Sequence, residues 1–226
     1  FLFFFCCLYS WFDRDVKCVD CRKRLMCISD STASGYKALA ANRTCDSNNA
    51  IGRQALLSNT TGCFNEAHGY AALEDNTTGC FNIALGAMAL RCNTTAKYNT
   101  AVGGCALYLN TTGALNTATG YAALLSNTTG TNNTATGYAA LHSNTTGVQN
   151  TAVGKGALDS STTAFNNTAI GYLAGQATTA GCSNTDLGSH AMYTNTTGCR
   201  NTASGYYALF KNTTGGYNVA TGYQAM

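Results

Sequence analysis

The chain has 226 residues, contains no proline, and carries charge on only 10% of its side chains. An average soluble domain is about a quarter charged, so the polarity of this surface must come from asparagine, threonine and serine. The net charge is +3, and much of the basic character lies in residues 14–24. That charge is too small and too local to form a nucleic-acid surface.

Residues 1–12, FLFFFCCLYSWF, are almost wholly apolar. They are too few to span a bilayer, which needs about 20 residues. They suit the apolar part of a signal peptide, yet neither a basic leader nor an initiator methionine precedes them. Two interpretations stay open: a cap over the first repeat, or a tail that docks onto another copy of the protein. The residues predicted to dock are Phe1, Leu2, Phe3, Phe4, Phe5, Leu8, Trp11 and Phe12.

Twelve cysteines, an even number, favour disulfides and an oxidising compartment, with a reduced chain as the alternative. Residues 13–30 form a polar, cysteine-rich connector. Its Cys18-x-x-Cys21 is a candidate half zinc site or redox pair. No second Cys-x-x-Cys or nearby histidine completes a zinc site, and no βαβ pattern supports redox chemistry. The sequence therefore predicts no metal site, and a secreted or cell-surface protein.

From residue 31 onward the chain is a tandem repeat with a strict period of 17 residues. Eleven of its twelve copies carry alanine two residues before a central glycine, all twelve carry alanine three residues after it, and nine carry leucine four after it. Asparagine lies four residues before the glycine in eleven copies and seven after it in nine. The central glycines are Gly35, Gly52, Gly69, Gly86, Gly103, Gly120, Gly137, Gly154, Gly171, Gly188, Gly205 and Gly222.

Seventeen residues are too few for a two-helix repeat, and each Asn-Thr-Thr-Gly would interrupt a helix. In N-T-A-x-G, extended chain directs asparagine, alanine and glycine to one face and threonine to the other. The Thr-Thr-Gly stretch is expected to form a corner, because glycine accepts backbone angles that other residues resist. The sequence thus predicts an all-β, single-chain β-solenoid of twelve coils over residues 31–226, preceded by an N-terminal segment over residues 1–30.

Four cysteines test the one-coil-per-repeat prediction. Cys63 and Cys80 occupy the same position in neighbouring repeats, as do Cys182 and Cys199. Residues one coil apart lie about 4.8 Å from each other, which is within the disulfide range. We therefore predict a disulfide within each pair.

The motifs N-T-A-V-G at 99–103 and 150–154, and N-T-A-I-G at 167–171, resemble the head repeats of trimeric autotransporter adhesins and repeats of phage and bacterial surface fibres. The resemblance covers residues 31–226 through a short motif, and it implies a β-roll used for extracellular attachment. The chain departs from the adhesins in its longer period.

The chain holds eleven N-x-[ST] sequons, which in a secreted protein can accept N-glycans. The alternative is that stacked asparagines form a hydrogen-bonded ladder. A second asparagine position, Asn48 to Asn218, is usually not a sequon and is predicted to be such a ladder. The glycosylation candidates are Asn42, Asn59, Asn76, Asn93, Asn110, Asn127, Asn144, Asn195 and Asn212 in one repeat position, with Asn132 and Asn166 elsewhere.

Other side chains suggest surface functions more than catalysis. Thr117 and Thr119, and Thr134 and Thr136, form the motif T-x-T in two adjacent coils. An outward array of threonine hydroxyls makes ice binding a candidate function. Tyrosine follows the glycine in seven copies, either as ordinary packing between coils or as a stripe for sugars or a subunit contact. The carboxylates and the three histidines are scattered, so we predict no catalytic residues, no cofactor beyond covalent N-glycans, and no enzyme.

A solenoid has two open sheet edges that invite addition. We expect the C-terminal end to lack a cap, and residues 1–12 of one copy to cover the open end of the next. A heterologous contact that does not close builds a filament. The sequence thus favours a structural subunit of an extracellular filament assembled head-to-tail, with a trimeric adhesin that binds glycans or a cell surface and an ice binder as the alternatives.

Overall fold

The computed structural model describes residues 31–226. The predicted capping or docking segment and the cysteine-rich connector, residues 1–30, lie outside the described residues. The described part holds twelve short strands: β1 Thr32–Ser34, β2 Asn49–Ile51, β3 Glu66–His68, β4 Ile83–Leu85, β5 Thr100–Val102, β6 Thr117–Thr119, β7 Thr134–Thr136, β8 Thr151–Val153, β9 Thr168–Ile170, β10 Thr185–Leu187, β11 Thr202–Ser204 and β12 Val219–Thr221.

The strands form one parallel sheet in which each strand pairs only with its neighbours in the sequence, from β1 to β12. The register advances by one repeat at every step; Thr117, for example, pairs with Thr134. The predicted all-β solenoid with one 17-residue coil per repeat is therefore confirmed. Coils are numbered here in steps of 17 from residue 31, so coil 6 is residues 116–132 and coil 12 begins at residue 218.

The alanine and leucine positions fill the interior of the coils. In coil 6, Ala118, Ala123 and Leu124 are fully buried. Small alanines on two sides and one leucine between them leave only a narrow interior, so each coil depends on contact with the coils before and after it. The solenoid is stabilised along its length by this continuous apolar core.

The central glycine is required by its backbone angle in all twelve repeats, and in coils 1–11 also by its surroundings. Gly120 has φ of +130°, and a Cβ built on it would lie 2.5 Å from the carbonyl oxygen of Gly137 in the next coil. No side chain fits between the two coils at this point. This close approach of backbones explains why the glycine is present in all twelve copies.

The tight turns also use the left-handed region at residues other than glycine. In coil 6 these are Ala122, Leu124 and Asn132, with φ of 56°, 52° and 58°. Such angles are uncommon for alanine and leucine, and they recur here in nearly every coil. Hydrogen bonds to the adjacent coil hold them, as when the Leu124 amide donates to the Ala140 carbonyl over 3.0 Å.

The Thr-Thr-Gly glycine has a different role from the one predicted. Gly130 does not adopt a positive φ. A Cβ added to it would instead collide with the Asn127 side chain and with the Gly147 carbonyl of the next coil. The expectation that it supplies unusual backbone angles at a corner is wrong, because this glycine is needed for space.

Candidate functional site

Two ladders of buried asparagines run through the interior of the solenoid. The first asparagine ladder consists of the residues that begin coils 2–12, from Asn48 to Asn218. In coil 6, Asn116 Oδ1 accepts the backbone N–H of Asn133 over 3.0 Å, and Asn116 Nδ2 donates to the Gly130 carbonyl over 2.8 Å. This ladder is therefore structural, as the sequence predicts.

The second asparagine ladder is formed by the sequon position. Asn127 Nδ2 donates to Asn110 Oδ1 over 2.8 Å and to the Gly130 carbonyl over 3.0 Å. Both N–H bonds of the amide are thereby used. The two ladders meet at the Gly130 carbonyl, which accepts from Asn116 as well as from Asn127.

The burial of the second ladder overturns glycosylation at most of the predicted sites. A glycan would have to replace a hydrogen on Nδ2, and the interior has no room for a sugar. The predicted sites that are buried, with 0–2% of their surface exposed, are Asn42, Asn59, Asn76, Asn93, Asn110, Asn127, Asn144 and Asn195. Asn212, in the last coils, is half-buried, and its Nδ2 donates to Asn195 Oδ1 over 3.0 Å and to the Gly215 carbonyl over 3.0 Å. Only Asn132 and Asn166 have exposed side chains, so they remain the glycosylation candidates.

In coils 2–10, the threonine directly after the second-ladder position is also structural. Thr128 Oγ1 donates to the carbonyl of Thr145, one coil later, over 3.1 Å. The same bond recurs from coil to coil between Thr60 and Thr213. The next threonine in the sequon, such as Thr129, is exposed. The sequence leaves both a glycosylation motif and a hydrogen-bonding unit open at these positions, because Asn-Thr-Thr fits both.

The regular interior fails in coils 8–10. The second ladder is interrupted by Ser161 and Thr178, whose buried hydroxyls have no hydrogen-bond partner, and Asn144 Oδ1 loses its donor. In coil 10, Asp186 replaces the strand alanine and both of its carboxyl oxygens are buried without a partner. Burial raises the pKa of the Asp186 carboxyl well above its usual range.

The Asp186 side chain has room because a second residue departs from the repeat pattern. Gly175 replaces the core leucine in coil 9, and a Cβ at this position would collide with Asp186 Oδ2. The apolar core correspondingly divides into one cluster that ends at Ala174 and another that begins at Ala191. The glycine and the carboxyl are thus a compensating pair.

One of the two predicted disulfides is present in the structure. Cys182 and Cys199 are bonded, with 4.6 Å between their Cα atoms. Cys63 is bonded to Cys45, with 5.3 Å between Cα atoms, and Cys80 is a free thiol. In this structure Cys63 pairs with Cys45 in place of the predicted Cys80, because Cys45 in the preceding coil is also within reach of Cys63.

The surface of the solenoid carries three distinct stretches. In coils 2–5, an exposed apolar side chain directly precedes the first-ladder asparagine of the next coil: Phe64, Phe81, Tyr98 and Leu115. The rings of Phe64 and Phe81 stack at 4.9 Å, and those of Phe81 and Tyr98 at 5.2 Å. In coils 5–11 the first strand position is threonine throughout, from Thr100 to Thr202.

The third stretch is the row of tyrosines after the central glycine. Tyr121 and Tyr138 stack at 5.7 Å, and Tyr206 and Tyr223 at 5.6 Å. The Lys155 ammonium lies 5.7 Å from the Tyr138 ring and 5.9 Å from the Tyr172 ring. These contacts between coils account for the row as packing, which is one of the two interpretations that the sequence leaves open.

Charged side chains form local pairs without building a cluster. Arg91 Nε lies 2.6 Å from Glu74 Oε2, whose side chain is only 12% exposed, and His68 Nε2 lies 2.6 Å from Glu66 Oε1. Within residues 31–226, no three His, Cys, Asp or Glu side chains come close enough to hold a metal ion. The same stretch contains no helix long and apolar enough to cross a membrane.

Comparisons of the chain with protein-family models, with curated proteins and with solved structures gave no match. The β-solenoid is therefore established by the strand order and register of the chain itself. The resemblance to trimeric autotransporter head repeats remains a similarity of motif and receives no support from a shared family.

Proposed function

We propose that the protein is a structural subunit of an extracellular filament, with the solenoid as its rod-shaped shaft. The observation that supports this proposal most is the continuity of the interior. The first asparagine ladder runs unbroken from coil 2 to coil 12, and backbone hydrogen bonds join every pair of neighbouring coils. The interior side chains are used to connect coils, which suits a stiff rod better than a substrate site.

The proposed assembly is head-to-tail between copies of the chain, through residues 1–12. Within residues 31–226, β12 pairs only with β11, and a strand with one unpaired edge can be extended by another chain that adds a strand. The disulfide between Cys182 and Cys199 supports an oxidising location outside the cell. Glycans, where the organism adds them, belong on Asn132 and Asn166, and the proposal includes neither a catalytic activity nor a bound cofactor.

Deletion of residues 1–12 tests the assembly. We expect the full chain to form open-ended particles whose mass in light scattering grows with concentration, and the shortened chain to give single rods. The control is a variant with Phe64, Phe81 and Tyr98 changed to serine, which removes exposed apolar surface on the side of the rod. Filaments that persist after the deletion, or a discrete trimer of the full chain, would contradict head-to-tail assembly; the trimer would favour an adhesin.

Ice binding is a second candidate, and it rests on the threonine row of the outer sheet face. Seven successive coils place threonine in register on this face, and Thr117 and Thr119 are exposed. A measurement of thermal hysteresis decides this candidate. Changing Thr117 and Thr134 to lysine should abolish the activity, whereas changing Thr129 and Thr146, which are exposed elsewhere on the coil, should leave it intact. Absence of thermal hysteresis in the unmodified chain ends this candidate.

A further inference from the structure

Cys63 has a cysteine in both neighbouring coils. It is bonded to Cys45 of coil 1, and Cys80 of coil 3 is a free thiol. The Cys63 backbone N–H donates to Cys80 Sγ over 3.2 Å. All three cysteines are half-buried, so solvent reaches this side of the rod.

The relation between Cys63 and Cys80 matches that of a pair that is bonded. Cys182 and Cys199 occupy the same repeat position in coils 9 and 10. The Cys182 backbone N–H donates to Cys199 Sγ over 3.0 Å, and these two cysteines form a disulfide. The spacing of coils at this position therefore permits a disulfide, and Cys63 is within bonding range of two partners.

We propose that Cys45, Cys63 and Cys80 form a thiol–disulfide exchange site with two bonded states. The Cys80 thiolate attacks the Cys63 sulfur, the Cys63–Cys80 bond forms, and the Cys45–Cys63 bond breaks. The electron pair leaves on the Cys45 sulfur. Cys80 gives its proton to solvent and Cys45 takes one up, so the number of disulfides is unchanged and no oxidant or reductant is consumed.

The exchange moves a covalent link by one coil. In the first state the bond joins coils 1 and 2, and in the second state it joins coils 2 and 3 and leaves Cys45 as a thiol. Of the other free cysteines in residues 31–226, Cys92 and Cys105 occupy different repeat positions. Burial raises the pKa of the Cys92 thiol, which lowers its thiolate fraction, so these two residues supply matched controls.

Tryptic peptide mapping distinguishes the two states. Cleavage after Arg43, Arg53 and Arg91 places Cys45 in peptide 44–53 and both Cys63 and Cys80 in peptide 54–91. The first state joins the two peptides, whereas the second gives an internally bonded 54–91 and a 44–53 that can be alkylated. The full chain is incubated without added thiol at several pH values above neutrality, quenched in acid, alkylated and digested.

We expect both states in the unmodified chain, reached faster as pH rises because the thiolate is the attacking species. Cys80→Ser should abolish the internally bonded 54–91, and the double variant Cys92→Ser/Cys105→Ser should leave the distribution unchanged. A peptide 44–53 that stays wholly bonded to 54–91 at every pH overturns the proposal, as does its bonding to any other cysteine.

A second variant keeps the test independent of the exchange rate. Cys45→Ser in a glutathione redox buffer should form the Cys63–Cys80 bond alongside Cys182–Cys199, which reports whether the solenoid has folded. If Cys63 and Cys80 stay free while Cys182–Cys199 is oxidised, the second state does not exist and the proposal is wrong.

Discussion

Coils 5–7 and coils 8–10 have the same backbone conformation and hydrogen bonds but differ in their interior side chains. The Gly120 amide donates to Val102, and the Gly171 amide donates to Val153, each over 2.8 Å. In coils 5–7 both ladder positions hold asparagine and every coil has its core leucine, whereas coils 8–10 contain a broken second ladder, a missing leucine and a buried carboxyl. The comparison indicates that backbone pairing determines the shape of the rod, while interior side chains determine how stable each part is.

The largest expected effect is the loss of an intact ladder residue. Asn116→Ala removes three hydrogen bonds, from the Asn133 backbone N–H, from Asn133 Nδ2 and to the Gly130 carbonyl, and it leaves the buried Asn133 N–H without a partner. Each lost bond costs about 1 kcal/mol and an unpaired buried group costs more, so the free energy of unfolding should fall by about 3 kcal/mol. Denaturant unfolding measures this loss. The control Thr117→Ala changes an exposed strand residue of the same coil and should cost less than about 1 kcal/mol. Equal losses for the two variants would contradict the structural role of the ladder.

A smaller effect should follow from restoring the repeat pattern in coils 9 and 10. The double variant Gly175→Leu/Asp186→Ala refills the core, and burying a leucine contributes about 1.5–3 kcal/mol. The left-handed angle at this position is no barrier, because Leu158 adopts φ of 52° and Met192 φ of 48° in the adjacent coils.

The single variants of this pair provide the control. Gly175→Leu alone should destabilise the rod, since its side chain collides with Asp186. A double-mutant cycle of unfolding free energies therefore should show a strong favourable coupling between the two positions. Additive effects would show that the glycine and the carboxyl are unrelated substitutions.

Asp186 also makes the stability of the rod depend on pH. Its pKa is raised in the folded chain, whereas the unfolded carboxyl titrates near about 3.9. Below that pH the carboxyl is protonated in both the folded and the unfolded chain, so its ionisation does not change the free energy of unfolding. As pH rises, the unfolded state ionises first, so stability falls by up to about 1.4 kcal/mol per pH unit until the folded pKa is passed.

The difference between the unmodified chain and Asp186→Asn isolates this contribution. Asp75, whose pKa is raised by burial and by the neighbouring Glu74, is present in both proteins and cancels. Thermal unfolding from pH 3 to pH 8 should show the unmodified chain losing stability relative to the variant. Parallel curves would mean that Asp186 is not buried as a neutral acid.

The sequence predicts the path of the chain because a strict 17-residue period is too short for a two-helix repeat and fits one β-solenoid coil. The same period places Cys182 and Cys199 at equivalent positions in neighbouring coils, so their disulfide can also be predicted. It does not separate a buried ladder from a surface sequon, since the same Asn-Thr-Thr fits both until the direction of the side chain is known. The Cys45–Cys63 bond was missed because Cys45 occupies a position that is glycine in most repeats. In the sequence, Asp186 is only an exception at a position that is otherwise alanine. The sequence does not show that Gly175, eleven residues earlier, leaves room for the Asp186 carboxyl, because that contact exists only in the folded chain.

Hydrogen–deuterium exchange of the native chain tests the central comparison most directly. Backbone hydrogen bonds are alike in the two regions, so differences in protection report the interior. We predict faster exchange at the strand amides of coils 8–10 than at those of coils 5–7, a wider difference after reduction of the Cys182–Cys199 disulfide, and slower exchange when Thr178→Asn extends the second ladder. Uniform protection along the rod, or greater protection in coils 8–10, would contradict the account.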